Sequence, residues 1–183
     1  MTRLRIASGW RTAGLALATA VASTAAPAQA VDKHVFSPPD CEFSTTFPMV
    51  PDVAVHRAPS GRQALQAASP GDRLPILVAQ CTTGDDGSAP PDVQDRVARV
   101  RSTLEDRQAG AIRTSTPRDA RGQWAIATGD VTLGGHTLAM TTASIAGARS
   151  MLLLTVLREK SSDPALTERF LAGVARRPDA PAR

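Results

Sequence analysis

The chain has no tyrosine and few aromatic residues of any kind, 3% of 183. After the first thirty residues the aromatics are Phe36, Phe43, Phe47, Phe170 and Trp124. Proteins that bind single-stranded nucleic acid need aromatic platforms for the bases and a basic groove for the backbone. Neither is visible, so nucleic acid is excluded as an expected partner. Lysine is almost missing too: only Lys33 and Lys160 occur, and every other basic side chain is arginine. Arginine suits carboxylate and phosphate recognition. A coding bias toward Arg and Ala gives the same composition and is the reading preferred here.

The catalytic signatures are absent as well. No Gly-x-Ser-x-Gly elbow occurs, and Ser60, in the turn Pro59-Ser60-Gly61, lacks the strand-to-helix context a nucleophile needs. His34, His56 and His136 are scattered, with no spacing that lets two imidazoles share a metal from one helix. Asp85 and Asp86, flanked by Gly84 and Gly87, could ligate calcium, but the twelve-position EF-hand pattern is missing, and an ordinary polar connector is expected. Asp119 and Asp130 are the acids a paired-carboxylate glycosidase could use; nothing in the sequence pairs them. No glycine-rich phosphate loop leads from a strand into a helix. The expectation is therefore no cofactor, no metal and no catalytic residue.

What the sequence does carry begins with an address. Arg3, Arg5 and Arg11 precede an apolar, small-residue run from Ala13 to Ala22, and Ala28-Gln29-Ala30 fits a small-x-small cleavage site. Residues 1–30 read as a signal peptide, too short for a membrane span. No cysteine follows the site to take a lipid, and no Arg pair supports the twin-arginine route. The expected product is periplasmic or secreted, with no stable membrane insertion after cleavage. Three of the 21 basic residues and none of the 17 acidic ones would leave with the signal, so the remaining chain carries a formal charge of +1. The pI of about 10.0 overstates how basic it is.

From Val31 on, the length suits one domain with a proper core. Residues 31–40 read as a flexible N-terminal arm, 41–176 as a single domain and 177–183 as a flexible tail. Cys41 and Cys81 are the chain's two cysteines. In an oxidising compartment they are expected to form one structural disulfide, with free thiols or an intermolecular bridge as the alternatives.

Within the domain, Glu42 to Phe47 alternates, with Phe43, Thr45 and Phe47 on one face. Val53 and Val55 suggest a second extended piece, with Ala54 and His56 opposite. Residues 62–68 fit either a short strand or a helical turn. Leu74 to Thr82 reads as a buried strand. Asp92 is a candidate N-cap for a helix whose Val93, Val97, Val100 and Leu104 share a face, with Asp95 able to pair with Arg99 and Gly110 as the expected stop. Arg96, Arg99, Arg101 and Arg107 are expected to point mostly away from that stripe. Four strands follow: one around Ile112 to Thr116; one from Gln123 to Leu133 with Gly129 as a candidate bulge; one from His136 to Ile145 after a Gly134-Gly135 hairpin; and the most apolar, Ser150 to Leu157. That last strand has the length of one buried on both faces and is expected to be central or near-central in the sheet. Short turns force an antiparallel meander. Asp163-Pro164 opens a second helix with Leu166, Phe170 and Val174 on its buried face.

The expected fold class is α+β, an antiparallel sheet with amphipathic helices packed on it. The strand Cys41-Glu42-Phe43-Ser44-Thr45-Thr46-Phe47-Pro48, followed by this element order and a closing helix, resembles the small exported proteins of the PsbP-like αβα sandwich group over residues 41–176. The resemblance implies a sandwich fold and a mostly non-enzymatic accessory or binding role. It carries over no functional residue, since none of the group's specific sites is recognisable. The functional expectation is an exported, non-catalytic binding or accessory protein acting on a cell-envelope protein or complex. A small envelope hydrolase with an unrecognised site is the alternative from a different class.

Cleavage after Ala30 is the first testable consequence. Intact-mass measurement of native protein should give a chain starting at Val31; a retained N-terminus or a lipid-modified mass would refute it.

Overall fold

The computed structural model describes residues 34–57, 63–71, 73–83 and 90–177. The expected signal peptide, Ser60 and the Asp85-Asp86 loop lie outside those residues. In chain order the elements are β1 (His34–Phe36), β2 (Phe43–Phe47), β3 (Asp52–Arg57), β4 (Gln63–Ala68), β5 (Ile76–Thr83), α1 (Val93–Glu105), β6 (Gly110–Ser115), β7 (Arg118–Asp119), β8 (Gly122–Leu133), β9 (His136–Ala146), β10 (Ser150–Glu159), α2 (Ala165–Ala172) and β11 (Ala175–Arg176).

An eight-stranded antiparallel sheet dominates, in the order β3-β4-β5-β10-β9-β8-β6, with β7 paired to β8. The apolar strand β10 lies at its middle, between β5 and β9, as its composition requires. The Gly134-Gly135 turn joins β8 to β9 with φ of 57° and 81°, the left-handed pair a two-residue hairpin favours. Residues 63–68, ambiguous in sequence, are drawn into strand because both edges of β4 find partners, β3 and β5.

The α+β sandwich of helices packed on a sheet is not what forms. Strand takes 53% of the described residues and helix 16%, in two helices. Helix α1 covers β8 and part of β9 and β6 on one face. On the other face the covering layer is itself a small sheet, β1-β2-β11, joined by the eight-residue α2. His34–Phe36, read as part of the arm, pairs as a strand with β2, and the extended piece at 52–57 pairs with residues 63–68. The PsbP-like αβα layering is overturned by the same finding.

The main core lies between the two sheets. Phe43, Thr45 and Phe47 of β2 are fully buried, as their alternation predicts, and lie against Leu77, Ala79, Leu152 and Leu154. Phe170 of α2 meets Phe47 edge to face at 5.1 Å. A second cluster sits under α1, where Val100 and Leu104 pack on Ala125 and Ala127. Asp92 caps α1 by accepting from the Asp95 amide at 2.9 Å. The helix ends at Glu105, ahead of the expected Gly110, which opens β6 instead. The ion pair on its surface is Arg101–Glu105, at 2.7 Å.

Gly129 is not a bulge: β8 pairs with β9 residue for residue through it, and the irregularity falls on β6 between Gly110 and Arg113. Gly129 is required by close approach. A Cβ there would stand 2.8 Å from Leu104 Cδ2 and 3.1 Å from the Gly110 carbonyl. Gly129→Ala should therefore cost about 1–3 kcal/mol by overpacking, measured by chemical denaturation. An unchanged midpoint would show that α1 can move off the sheet freely.

Candidate functional site

Ionisable side chains that are buried or half-buried are the usual first place to look for chemistry. In this protein they hold backbone. Glu42, at the start of β2, is 6% exposed. Its carboxylate accepts from the amides of Ala148 (3.0 Å), Arg149 (2.7 Å) and Ser150 (2.9 Å), the turn joining β9 to β10. Ser150 Oγ donates to it at 3.3 Å and accepts from the Glu42 amide at 2.8 Å. Arg176 stands 3.7 Å away. Burial alone would raise the Glu42 pKa. The amide hydrogen bonds from Arg149, Ala148 and Ser150, with the Ser150 hydroxyl, outweigh it and hold the carboxyl below its ordinary value. Gly147 makes the cradle possible, since a Cβ there would run into the Glu42 carboxylate.

The Cys41–Cys81 disulfide lies beside this cradle, with a Cα separation of 6.2 Å. The bond closes a loop 40 residues apart in sequence, which restricts the unfolded chain by about 4 kcal/mol in the entropy model. It is consistent with an exported protein.

Arg121 forms a second structural hub. It bonds Asp119 through Nε (2.9 Å) and Nη2, and its Nη1 donates to the carbonyls of Leu171 (2.7 Å) and Val174 (3.1 Å) at the end of α2. Its guanidinium lies 4.9 Å from the Trp124 ring centroid, and Trp124 Nε1 donates to Asp119 at 3.1 Å. The Arg121 side chain beside Asp119 is the main reason that the carboxyl falls to about 2. Asp119 thus serves as an ionised anchor for Arg121. Asp130 is paired elsewhere, with Lys160 at 2.8 Å. The two acids are not brought together as a catalytic pair.

Arg96 is the third. Contrary to expectation it points inward, 5% exposed, and donates to the carbonyls of Gln123 (2.9 Å) and Ser144 (3.1 Å). The spacing offered a signal: Arg96 lies four residues before Val100, on the buried stripe. The bonds that join Glu42 and Arg121 to backbone groups distant in sequence have no such signal.

The histidines stay apart, His34 on β1, the exposed His56 on β3 and the exposed His136 at the start of β9. His136 shares an open cleft of about 640 Å³ with Glu159, Lys160 and Ser161, over a floor that includes Leu74 and Leu157. Among the described residues no group of three or more His, Cys, Asp or Glu could hold a metal ion. No described helix is long and apolar enough to cross a membrane.

The remaining feature is apolar. The exposed large hydrophobic side chains among the described residues are Val35, Met49, Val50, Val53, Val55 and Leu133. All but Leu133 fall on β1, on the β2–β3 connection or on β3. A groove of about 590 Å³ runs between β1 and β3, lined by Val35, Val50 and Val53 and by Pro38, Pro39 and Pro51. Its proline walls are stiff. Arg177 secures one wall by donating to the Pro38 carbonyl at 2.7 Å.

No family model matches the chain, and no curated protein matches it. Among solved structures it is similar to a protein from Bacteroides thetaiotaomicron, at 14% identity and a TM-score of 0.46, over 81% of this chain and 50% of that one. The chain thus spans about half the length of that protein.

The Glu42 cradle yields a pH prediction. A carboxyl whose folded pKa is lowered contributes stability that is fully present above its unfolded value, near 4.5, and is lost as the pH falls toward the lowered folded value. Glu42→Gln should destabilise by about 1–3 kcal/mol at neutral pH. Denaturation of wild type and variant side by side should show that gap shrinking below pH 4.5. A gap independent of pH would mean that the charge contributes nothing.

Proposed function

We propose that this protein is an exported, non-catalytic binding or accessory module of the cell envelope, periplasmic or secreted, that docks on an envelope protein through the corner formed by β1, the β2–β3 connection and β3. The observation that carries the reading is the exposure of Val35 (61%), Val50 (65%), Val53 (58%) and Val55 (65%) in so small a region. Clustered apolar exposure of this kind marks an interaction surface, whereas single exposed residues do not. The polar side chains support the same reading: Glu42, Arg96 and Arg121 are committed to backbone partners. The disulfide and the leader-like N-terminus support export.

The second reading, a small envelope hydrolase, rests on one feature, the cleft in which His136 and Glu159 share a wall with Lys160. Lys160 is held by Asp130 there, at 2.8 Å.

Two measurements separate the readings. Purified mature protein is assayed against chromogenic ester, amide, glycoside and phosphate substrates, alongside His136→Ala. A photo-crosslinking residue is then placed at Val50, or at exposed Gln94 on α1, in the native envelope. The expected outcome is no turnover and a discrete adduct from position 50 alone. Turnover abolished by His136→Ala would overturn the proposal, as would equal crosslinking from both positions.

A further inference from the structure

We infer that β3 pairs edge to edge with β3 of a second copy of this chain, antiparallel, about a two-fold axis at Ala54. The inference rests on the apolar corner being a docking surface: the second copy takes the β3 edge and leaves the groove lined by Val35, Val50 and Pro38 to the envelope protein.

The two ends of the main sheet differ. At one end β6 is blunted: its register slips between Gly110 and Arg113, and Ala111 carries a positive φ of 53°. Bulges and irregular backbone of this sort keep an edge from templating another strand. At the other end β3 pairs with β4 without interruption from Asp52 to Arg57. Its one proline, Pro51, precedes the strand, and it contains no lysine. Among the described residues no strand lies beyond it. Asp52 to His56 are all exposed. Alternate backbone amides and carbonyls along β3 therefore point outward from a regular, unprotected edge.

The side chains on that edge are self-complementary. Val53 and Val55 share the face of Ala67 and Leu65, their partners on β4, so they extend the face that packs on the main core. Asp52, Ala54 and His56 occupy the opposite face. Two copies related by an axis normal to the sheet keep these faces aligned. With the axis at Ala54, Val53 stands opposite Val55 of the second copy, and the same pair repeats on the other side of the axis. Asp52 stands opposite His56 of the second copy, again twice. Moving the axis to Val55 sets Val53 against Arg57 of the second copy. Moving it to Val53 sets Asp52 against Ala54 and leaves the imidazole without its acid. The Ala54 axis alone matches valine with valine and carboxylate with imidazole at both ends. Pairs of these kinds are the ones that stabilise antiparallel neighbours.

This complementarity favours a second copy over an unrelated strand, since one short sequence supplies both halves of each pair. A six-residue strand pair buries less than the roughly 1,200 Å² at which stable interfaces begin. The dimer should accordingly be weak and concentration-dependent, and it would join two eight-stranded sheets into one continuous sheet.

The test uses the full mature chain. Sedimentation velocity over a wide concentration range should show a reversible monomer–dimer equilibrium, abolished by Val53→Lys or Val55→Lys, with circular dichroism unchanged because both side chains are exposed. Ala54→Cys should oxidise to a covalent dimer whose linked peptide maps to position 54 of both copies, while Gln94→Cys should not. A wild type that stays monomeric at every concentration, with no disulfide-linked peptide from the Ala54→Cys variant, overturns the inference. So does a dimer that survives Val55→Lys. Crosslinks from Val50 to another protein, combined with unchanged mass for the β3 variants, would sink the dimer while leaving the docking reading in place.

Discussion

The structure depends on holding β2 against the main sheet. The layer that β2 leads is thin, with three residues in β1 and two in β11, and so small a sheet cannot stay folded by its own pairing. Two constraints pin it at the same end. The disulfide joins Cys41 to β5. One residue later the Glu42 carboxylate takes the amides that lead into β10. Cys81 and Leu152 are register partners, so both attachments act on one short stretch of the β5–β10 ladder. With that end fixed, Phe43 and Phe47 are directed into the space over β5 and β10, and Phe170 closes it from α2.

The buried charges follow one rule. Each makes hydrogen bonds to backbone groups of other elements. Glu42 satisfies the amides of a tight turn, Arg121 the carbonyls where α2 ends, and Arg96 the carbonyls of β8 and β9 beneath α1. A helix's last carbonyls and a turn's amides are the places where a fold lacks hydrogen bonds. Charged donors and acceptors make the stronger bonds there. Such groups resemble an active site in their ionisation, and differ from one in being bonded to the fold's own backbone.

Much of the sheet was legible because it is local. Alternation in Glu42 to Phe47, the glycine pair at 134 and 135 and the apolar run at 150–157 each fix a strand or turn from neighbours in sequence. Asp92 and the Val97-Val100-Leu104 stripe likewise fix α1. What failed was the layering. Residues 34–36, read as arm, and 63–68, open between strand and helical turn, become strand by pairing, so a second sheet takes the layer that helix was expected to fill. Gly129 was read as a bulge because a strand glycine commonly marks one; its cause is the approach of Leu104, a contact no local pattern encodes. The apolar corner was half legible. Val53 and Val55 are visible as an alternating pair, but alternation cannot say whether the face they share is covered, and here it is open.

The attachment of β2 also sets an order of events for a chain delivered N-terminus first. Cys41 and Cys81 are both free to meet once the first 81 residues have emerged. The amides that receive Glu42 arrive only with residues 148–150, and Arg177, which grips the carbonyls of Pro38 and Cys41, comes last. In a chain so delivered, sulfur would be the early tether. It would keep the phenylalanine strand near the surface it covers until the amides at 148–150 arrive, with the Arg177 contact to Pro38 made last.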